Sequence, residues 1–173
     1  PDTMWCGNED GYSRYPNYYE KNISFEPGYG RPGDSPEGMR FLPDECDCRI
    51  RDMWFYGDSD KDRLKSLDVL MGIYENSVGR GSNLLLNVGP DRRGRLPEED
   101  RARLAEFGAE ISRRYSSPVE SSVSLDGEDV LVSFDSFVDV NCVVLEEDIS
   151  RGQSILEFEI VMDRDECQAW SEP

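Results

Sequence analysis

The sequence predicts an α/β fold, a stretch of parallel sheet or barrel, followed by an all-β module. Three observations carry this. Residues 60–115 read as helix, buried strand, helix, which is one repeat of a parallel α/β architecture. After Tyr115 the helical period stops at Ser116-Ser117-Pro118, and short strand-like runs take over. At 173 residues the chain is well short of the roughly 250 of a complete (β/α)8 barrel, so a barrel reading makes it a portion of one.

Taken in order, the first 60 residues are rich in Gly, Pro, Tyr, Asn and Asp and sustain no period of 3.6 or 2, which predicts long loops of the kind that carry function. From Asp60 onward Leu64, Leu67, Leu70, Met71 and Tyr74 recur at helical spacing, with Gly79 at the expected C-cap. The run Ser82 to Val88 is apolar rather than alternating and ends at Gly89-Pro90-Asp91, so it predicts a parallel strand covered on both faces. Pro97 then stands at a first helical position, with Glu98, Glu99 and Asp100 at the positive helix end and Arg113 and Arg114 at the negative one. Leu104, Phe107, Gly108 and Ile111 form the expected core stripe of this second helix. Beyond the boundary, Asp126-Gly127 signals a turn, and Val130 to Phe134, Asn141 to Leu145 and Ile155 to Ile160 read as strands. This module spans residues 116–173, fewer than the ~100 of a whole sandwich, so it is read as incomplete.

Charge and composition exclude several partners. With 37 acidic against 19 basic residues the formal net charge is −18, which repels phosphate backbones and anionic membrane surfaces; nucleic acid and membrane are not expected partners. No run reaches the 18 or more apolar residues of a span, and no charged-then-apolar leader opens the chain, although its abrupt start at Pro1-Asp2 leaves a removed leader open. Cys6, Cys46, Cys48, Cys142 and Cys167 are an odd set in a chain too long to depend on disulfides, and are read as small apolar residues. Cys46-x-Cys48 lacks zinc spacing and there is no histidine, so no metal is expected, and no organic cofactor is called for.

What remains is carboxylates, aromatics and amides, an inventory that suits glycoside chemistry. Glycosidases work with two Asp or Glu groups flanking the scissile bond, and aromatic faces stack on the apolar side of a sugar ring. Composition alone does not choose the pair. The run Asp2-Thr3-Met4-Trp5-Cys6-Gly7-Asn8-Glu9-x-Gly11 resembles the W-x-G-N-E-x-G segment of alpha-L-fucosidases of glycoside hydrolase family twenty-nine. In the family's order there follow Phe41-Leu42-Pro43-Asp44-Glu45-Cys46-Asp47, Ile50-Arg51, Trp54-Phe55-Tyr56, Tyr74 with Ser77 to Asn87, then Pro90-Asp91 and Gly94. Asn141 to Glu147, Asp148-Ile149 and Gly152-Gln153 resemble the segment that follows the barrel in many of these enzymes.

The resemblance implies that residues 1–115 are the C-terminal portion of a catalytic (β/α) TIM-like barrel and residues 116–173 the start of an incomplete all-β sandwich module. It implies cleavage of terminal alpha-L-fucose from a fucosylated glycan or fucoside by double displacement. Glu9 matches the family's acid/base, with Glu45 as second candidate; Trp54, Tyr56 and Trp5 are the expected substrate-binding aromatics, against ordinary core packing. The nucleophilic aspartate is expected upstream of Pro1, so the chain alone is expected to be inactive. Glu45 and Asp47 are expected to pair with Arg49, Arg51 or another arginine, and Asn83 and Asn87 to satisfy loop backbone. Met4, Phe41 and the loop Asp10 to Arg14 depart from the family pattern, which bears on the leaving group. Two other readings stay open: a truncated remnant that binds carbohydrate without cleaving it, and another glycosidase activity on the same scaffold.

Overall fold

The computed structural model describes residues 3–15, 17, 19–22, 39–60, 63–127, 129–149, 155 and 157–161. Asp2 and Gly152-Gln153 of the family resemblance, Leu156 of an expected strand and Cys167 lie outside them. The elements run β1 (Met4–Trp5), β2 (Glu20–Asn22), β3 (Met39–Phe41), β4 (Asp44–Arg49), α1 (Leu67–Ser77), β5 (Asn83–Asn87), α2 (Glu98–Tyr115), β6 (Ser122–Asp126) and β7 (Asp129–Ser133). A parallel sheet in the order β1-β4-β5 organises the first 115 residues. Its register places Trp5 beside Glu45, Glu45 beside Asn83, and Arg49 beside Asn87. β2 and β3, which come between β1 and β4 in the sequence, form a separate antiparallel pair.

β4 corrects the expectation of loops throughout residues 1–60. Its sequence, Asp-Glu-Cys-Asp-Cys-Arg, offers almost no strand propensity, yet it alternates strictly: Asp44, Cys46 and Cys48 are buried while Glu45, Asp47 and Arg49 are half-exposed. The two backbone ladders decide its conformation, since β4 is paired on both edges.

One face of the sheet is covered by the helices. Ile50, Leu70, Met71 and Phe107 form the buried core, with Leu64, Leu67, Tyr74, Leu84, Leu86, Leu104, Ile111 and Tyr115 packed around it. Both predicted helices are present. α1 starts one turn later than the apolar period suggests because the Ser66 hydroxyl caps it, accepting from Val69 N at 3.3 Å, and Leu64 reaches the core from the preceding segment. Its end also differs. A short 3-10 turn over Val78–Arg80 follows α1, and the left-handed residue is Gly81 at φ 76°, not Gly79. A Cβ on Gly81 would sit 1.6 Å from the Tyr19 hydroxyl. Pro97 is the N-cap of α2 rather than its first helical residue. Gly108 is exposed and stands off the core stripe; Tyr115 takes its place, with Tyr74 between Phe107 and Tyr115 at 6.1 and 5.8 Å.

Asp100 is not a solvated helix-end acid. It is fully buried and binds the Arg51 guanidinium, which donates through Nε to both carboxylate oxygens at 2.9 and 3.2 Å and through Nη2 to one of them. The pair fastens the chain just after β4 to the first turn of α2. Lys65 completes this corner, with Nζ donating to the carbonyls of Arg49 and Arg51 at 2.6 and 3.3 Å.

β5 differs from the expected strand in being covered on one face only, with Leu85 53% exposed. After Tyr115, the turn at Asp126-Gly127 and the strand near Val130 to Phe134 appear as the β6–β7 hairpin, closed by Gly127 at φ 65°. Residues 141–145, and the described part of 155–160, form no strand. Alternation alone does not make a strand: a ladder partner is required, and a two-stranded hairpin is itself marginal. Both strands of the hairpin are exposed along their whole length.

Candidate active site

Because side chains alternate along a strand, the register sorts the sheet into two faces. Asp44, Cys46 and Cys48 point to the helices. Trp5, Glu45, Asp47, Arg49, Asn83, Leu85 and Asn87 share the free face, where Trp5 is 54% exposed. All three strands run the same way, so the loops after Trp5, Arg49 and Asn87 gather at one end. In parallel α/β folds that is the end where ligands bind.

Glu9 lies in the loop after β1. The loop is tightly fixed: Gly7 and Gly11 take φ of 86° and 79°, and a Cβ on Gly11 would fall 2.7 Å from Ile73 and 3.1 Å from Cys48. Asn8 bridges the turn, donating to the Tyr12 carbonyl and accepting from Asp10 N, each at 3.0 Å. Arg14 Nε donates to the Cys6 carbonyl at 2.5 Å, and Ser13 N to Asn76 at the end of α1 at 2.8 Å. The exposed Glu9 side chain therefore leaves a rigid base, and its Oε2 accepts from Trp54 Nε1 at 3.2 Å. Trp54 is half-buried, and the Arg49 guanidinium lies over its ring, 5.1 Å from the centroid.

The other candidates separate from this pair. Trp5 Nε1 donates to Asp47 Oδ1 at 2.6 Å, and Glu45 accepts from the Thr3 hydroxyl at 3.3 Å. The expected ion pairs of Glu45 and Asp47 with Arg49 or Arg51 are thus replaced: Arg51 is committed to Asp100, and the two acids take neutral donors. Glu45 is four residues before Arg49, about 13 Å deeper along the strand at 3.3 Å per residue, away from the end that holds Glu9. Tyr56 turns to Asp58, donating its hydroxyl at 3.1 Å, and that bond raises the phenol above its ordinary pKa. Asn83 and Asn87 stand in the strand as register partners of Glu45 and Arg49 rather than in the loops. Sequence reasoning did not single out the stacking of Arg49 on Trp54. Its only signal was the alternation in Asp44 to Arg49.

Beneath the site the thiols are inert. Burial, reinforced by the neighbouring Cys6 thiol, pushes Cys46 up to about 12, and burial pushes Cys48 up to about 11. Among the described residues no group of three or more His, Cys, Asp or Glu is arranged to hold a metal ion, and no helix is long and apolar enough to cross a membrane. A separate cleft of about 430 Å³ lies beside the loop before α2, lined by Asp91, Arg93, Arg95 and Arg101 among others, and none of the sequence-predicted site residues lines it.

The sequence model of the alpha-L-fucosidase family matches residues 27–114, which include Glu45, Trp54 and Tyr56, while Trp5 and Glu9 precede the matched span. A protein of Oryza sativa subsp. japonica, provisionally named alpha-L-fucosidase 1, is 41% identical over 113 residues, covering 62% of this chain and 21% of that protein. A glycoside hydrolase 29 family member from an unknown rumen bacterium superposes with a TM-score of 0.66 at 28% identity, over 76% of this chain and 24% of that one. A Ruminococcus gnavus fucosidase of the same family, solved in complex with fucose, gives 0.56 at 28% identity, over 66% and 24%. The chain spans about a fifth of the length of the curated relatives it matches. With half of its residues inside the family's sequence model and its α/β core superposing on solved fucosidases, the chain belongs to the alpha-L-fucosidase family.

Proposed function

We propose that this chain supplies the acid/base and part of the sugar pocket of an alpha-L-fucosidase that removes terminal alpha-L-fucose with retention of configuration. In this reading residues 1–115 are the C-terminal portion of the (β/α) barrel, the free face of the sheet is its interior, and residues 116–173 begin a β-sandwich. The single observation that carries the proposal is the Glu9–Trp54 hydrogen bond at the loop end of three parallel strands, in a chain of this family. It brings the acid expected to handle protons to an aromatic expected to face the sugar.

The chemistry follows from two carboxyl groups about 5 to 5.5 Å apart. In the first step the Glu9 carboxylic acid gives its proton to the glycosidic oxygen while an aspartate from outside this chain attacks the anomeric carbon. The carbon–oxygen bond to the leaving group breaks and a β-linked fucosyl ester forms. In the second step the Glu9 carboxylate takes a proton from water as the water oxygen attacks the same carbon. The ester bond breaks, alpha-L-fucose leaves, and the aspartate is restored. Trp54 serves twice: its N–H aims the Glu9 carboxylate, and its ring offers an apolar surface to the sugar.

The test is hydrolysis of an aryl alpha-L-fucoside by the natural polypeptide that carries this chain, set beside aryl alpha-L-rhamnoside and beta-galactoside. Fucoside turnover is the expected result. An untouched fucoside with another glycoside cleaved would refute the substrate assignment.

A further inference from the structure

We propose that Arg49 is a positioning residue for Glu9, acting through the Trp54 ring; this rests on the reading of Glu9 as the acid/base. The contacts are continuous: the Arg49 guanidinium covers the indole at 5.1 Å, and the indole N–H donates to the Glu9 carboxylate at 3.2 Å. Two further observations single out Arg49. It is the last residue of β4 and stands on the free face of the sheet, at the end where Glu9 lies. Its Nε is buried, and among the described residues no acceptor meets it. A guanidinium donor left in that state is costly in a purely structural position, so its stacking on Trp54 needs another reason.

The charges around Glu9 supply that reason. Its own loop carries Asp10 and Arg14; the free face of β4 carries Glu45, Asp47 and Arg49; the segment after β4 carries Arg51 and Asp52; the free face of β5 carries Asn83, Leu85 and Asn87 and no charge. Among the nearby cations, Arg51 is spent on Asp100, Lys65 on the carbonyls of Arg49 and Arg51, and Arg14 donates to the Cys6 carbonyl. Arg49 is the cation placed on the ring that touches Glu9. Lying over the π face it fixes the indole plane and makes the N–H a stronger donor to the Glu9 carboxylate. A group that must give a proton in one step and take one in the next needs its carboxyl held in one place.

The experiment follows the Trp54 indole N–H resonance by heteronuclear NMR in the 173-residue chain, whose three tryptophans are separated by a Trp54→Phe control. The resonance should lie downfield, as that of a hydrogen-bonded N–H does, and Glu9→Gln should move it; an unmoved resonance in Glu9→Gln would overturn the proposal. Arg49→Gln and Arg49→Met both remove the charge, and the second keeps an apolar stem on the ring. In either, the resonance should move towards its Glu9→Gln position and the N–H should exchange with solvent faster. Arg49→Lys should keep the resonance near its original position. An unmoved resonance in the uncharged variants, or an equal move in Arg49→Lys, would overturn it. Because the signal needs no turnover, a moved resonance in a protein inert towards fucosides sinks the fucosidase reading alone. An unmoved resonance in an active fucosidase sinks only the role of Arg49.

Discussion

The buried Arg51–Asp100 pair gives the sharpest stability prediction, tested by Asp100→Asn. The side chains are 8% and 1% exposed, so both charges have left water. Replacing the carboxylate by an amide of the same shape removes the buried counter-charge from the guanidinium, which costs about 3–5 kcal/mol. That is a large share of the ~5–15 kcal/mol that holds a domain together, and for a chain of this length it lowers Tm by about 10 °C. An internal control is the exposed pair Arg63–Asp52, at 61% and 55% exposure, for which Asp52→Asn should cost under about 1 kcal/mol. Urea unfolding followed by circular dichroism reads both. Salt separates them further, since screening reaches the exposed pair and not the buried one. A loss for Asp100→Asn no larger than for Asp52→Asn would refute the reasoning, because the pair would then be solvated. The double change Arg51→Met with Asp100→Leu should recover most of the lost stability.

Gly81→Ala should destabilise more than Gly94→Ala, since both glycines are left-handed, at φ 76° and 74°, but only at Gly81 does the added carbon meet Tyr19. Denaturant midpoints should show about 1 kcal/mol for Gly94→Ala, from backbone strain alone, and clearly more for Gly81→Ala. The thiols should divide by burial: at pH 8 the exposed Cys142 reacts with iodoacetamide while Cys6, Cys46 and Cys48 react only on unfolding, as peptide mass mapping would show. Folded-state values of about 12 and about 11 lie above the ordinary 9.0, so the protonated thiols favour the fold. That contribution is complete below pH 9 and is lost as pH rises towards 12, and urea midpoints across this window should fall. Trp54→Phe keeps a ring and removes the donor to Glu9, so kcat should fall roughly 10-fold to 100-fold, the worth of a hydrogen bond to a charged group, with KM little changed.

How much of this was legible in the sequence depended on how far apart the deciding groups stood. α1 and α2 announced themselves through apolar residues three and four apart, a local signal, and only their ends moved. β4 was hidden because Asp-Glu-Cys-Asp-Cys-Arg has the period of a strand but the composition of a loop, and ladders to β1 and β5 settled the conflict. Asp100 looked like a helix-end acid until Arg51, 49 residues earlier in the chain, reached it. Conversely, Asn141 to Leu145 looked like a strand and is not one, since no ladder partner stands beside it among the described residues. Glu9 stood out only through the family resemblance, since nothing in its local sequence distinguishes it among 37 acidic residues. Its contact with Trp54, across 45 positions, is a property of the fold.

In the proposed mechanism Glu9 manages the proton in both steps. Its most direct test is Glu9→Ala assayed on an aryl alpha-L-fucoside with and without azide, in the natural polypeptide. Slow turnover alone, a restored rate with azide, and alpha-L-fucosyl azide as product are expected, because azide then attacks the intermediate from the face that water used. Full activity without azide, or a beta-configured azide product, would contradict it.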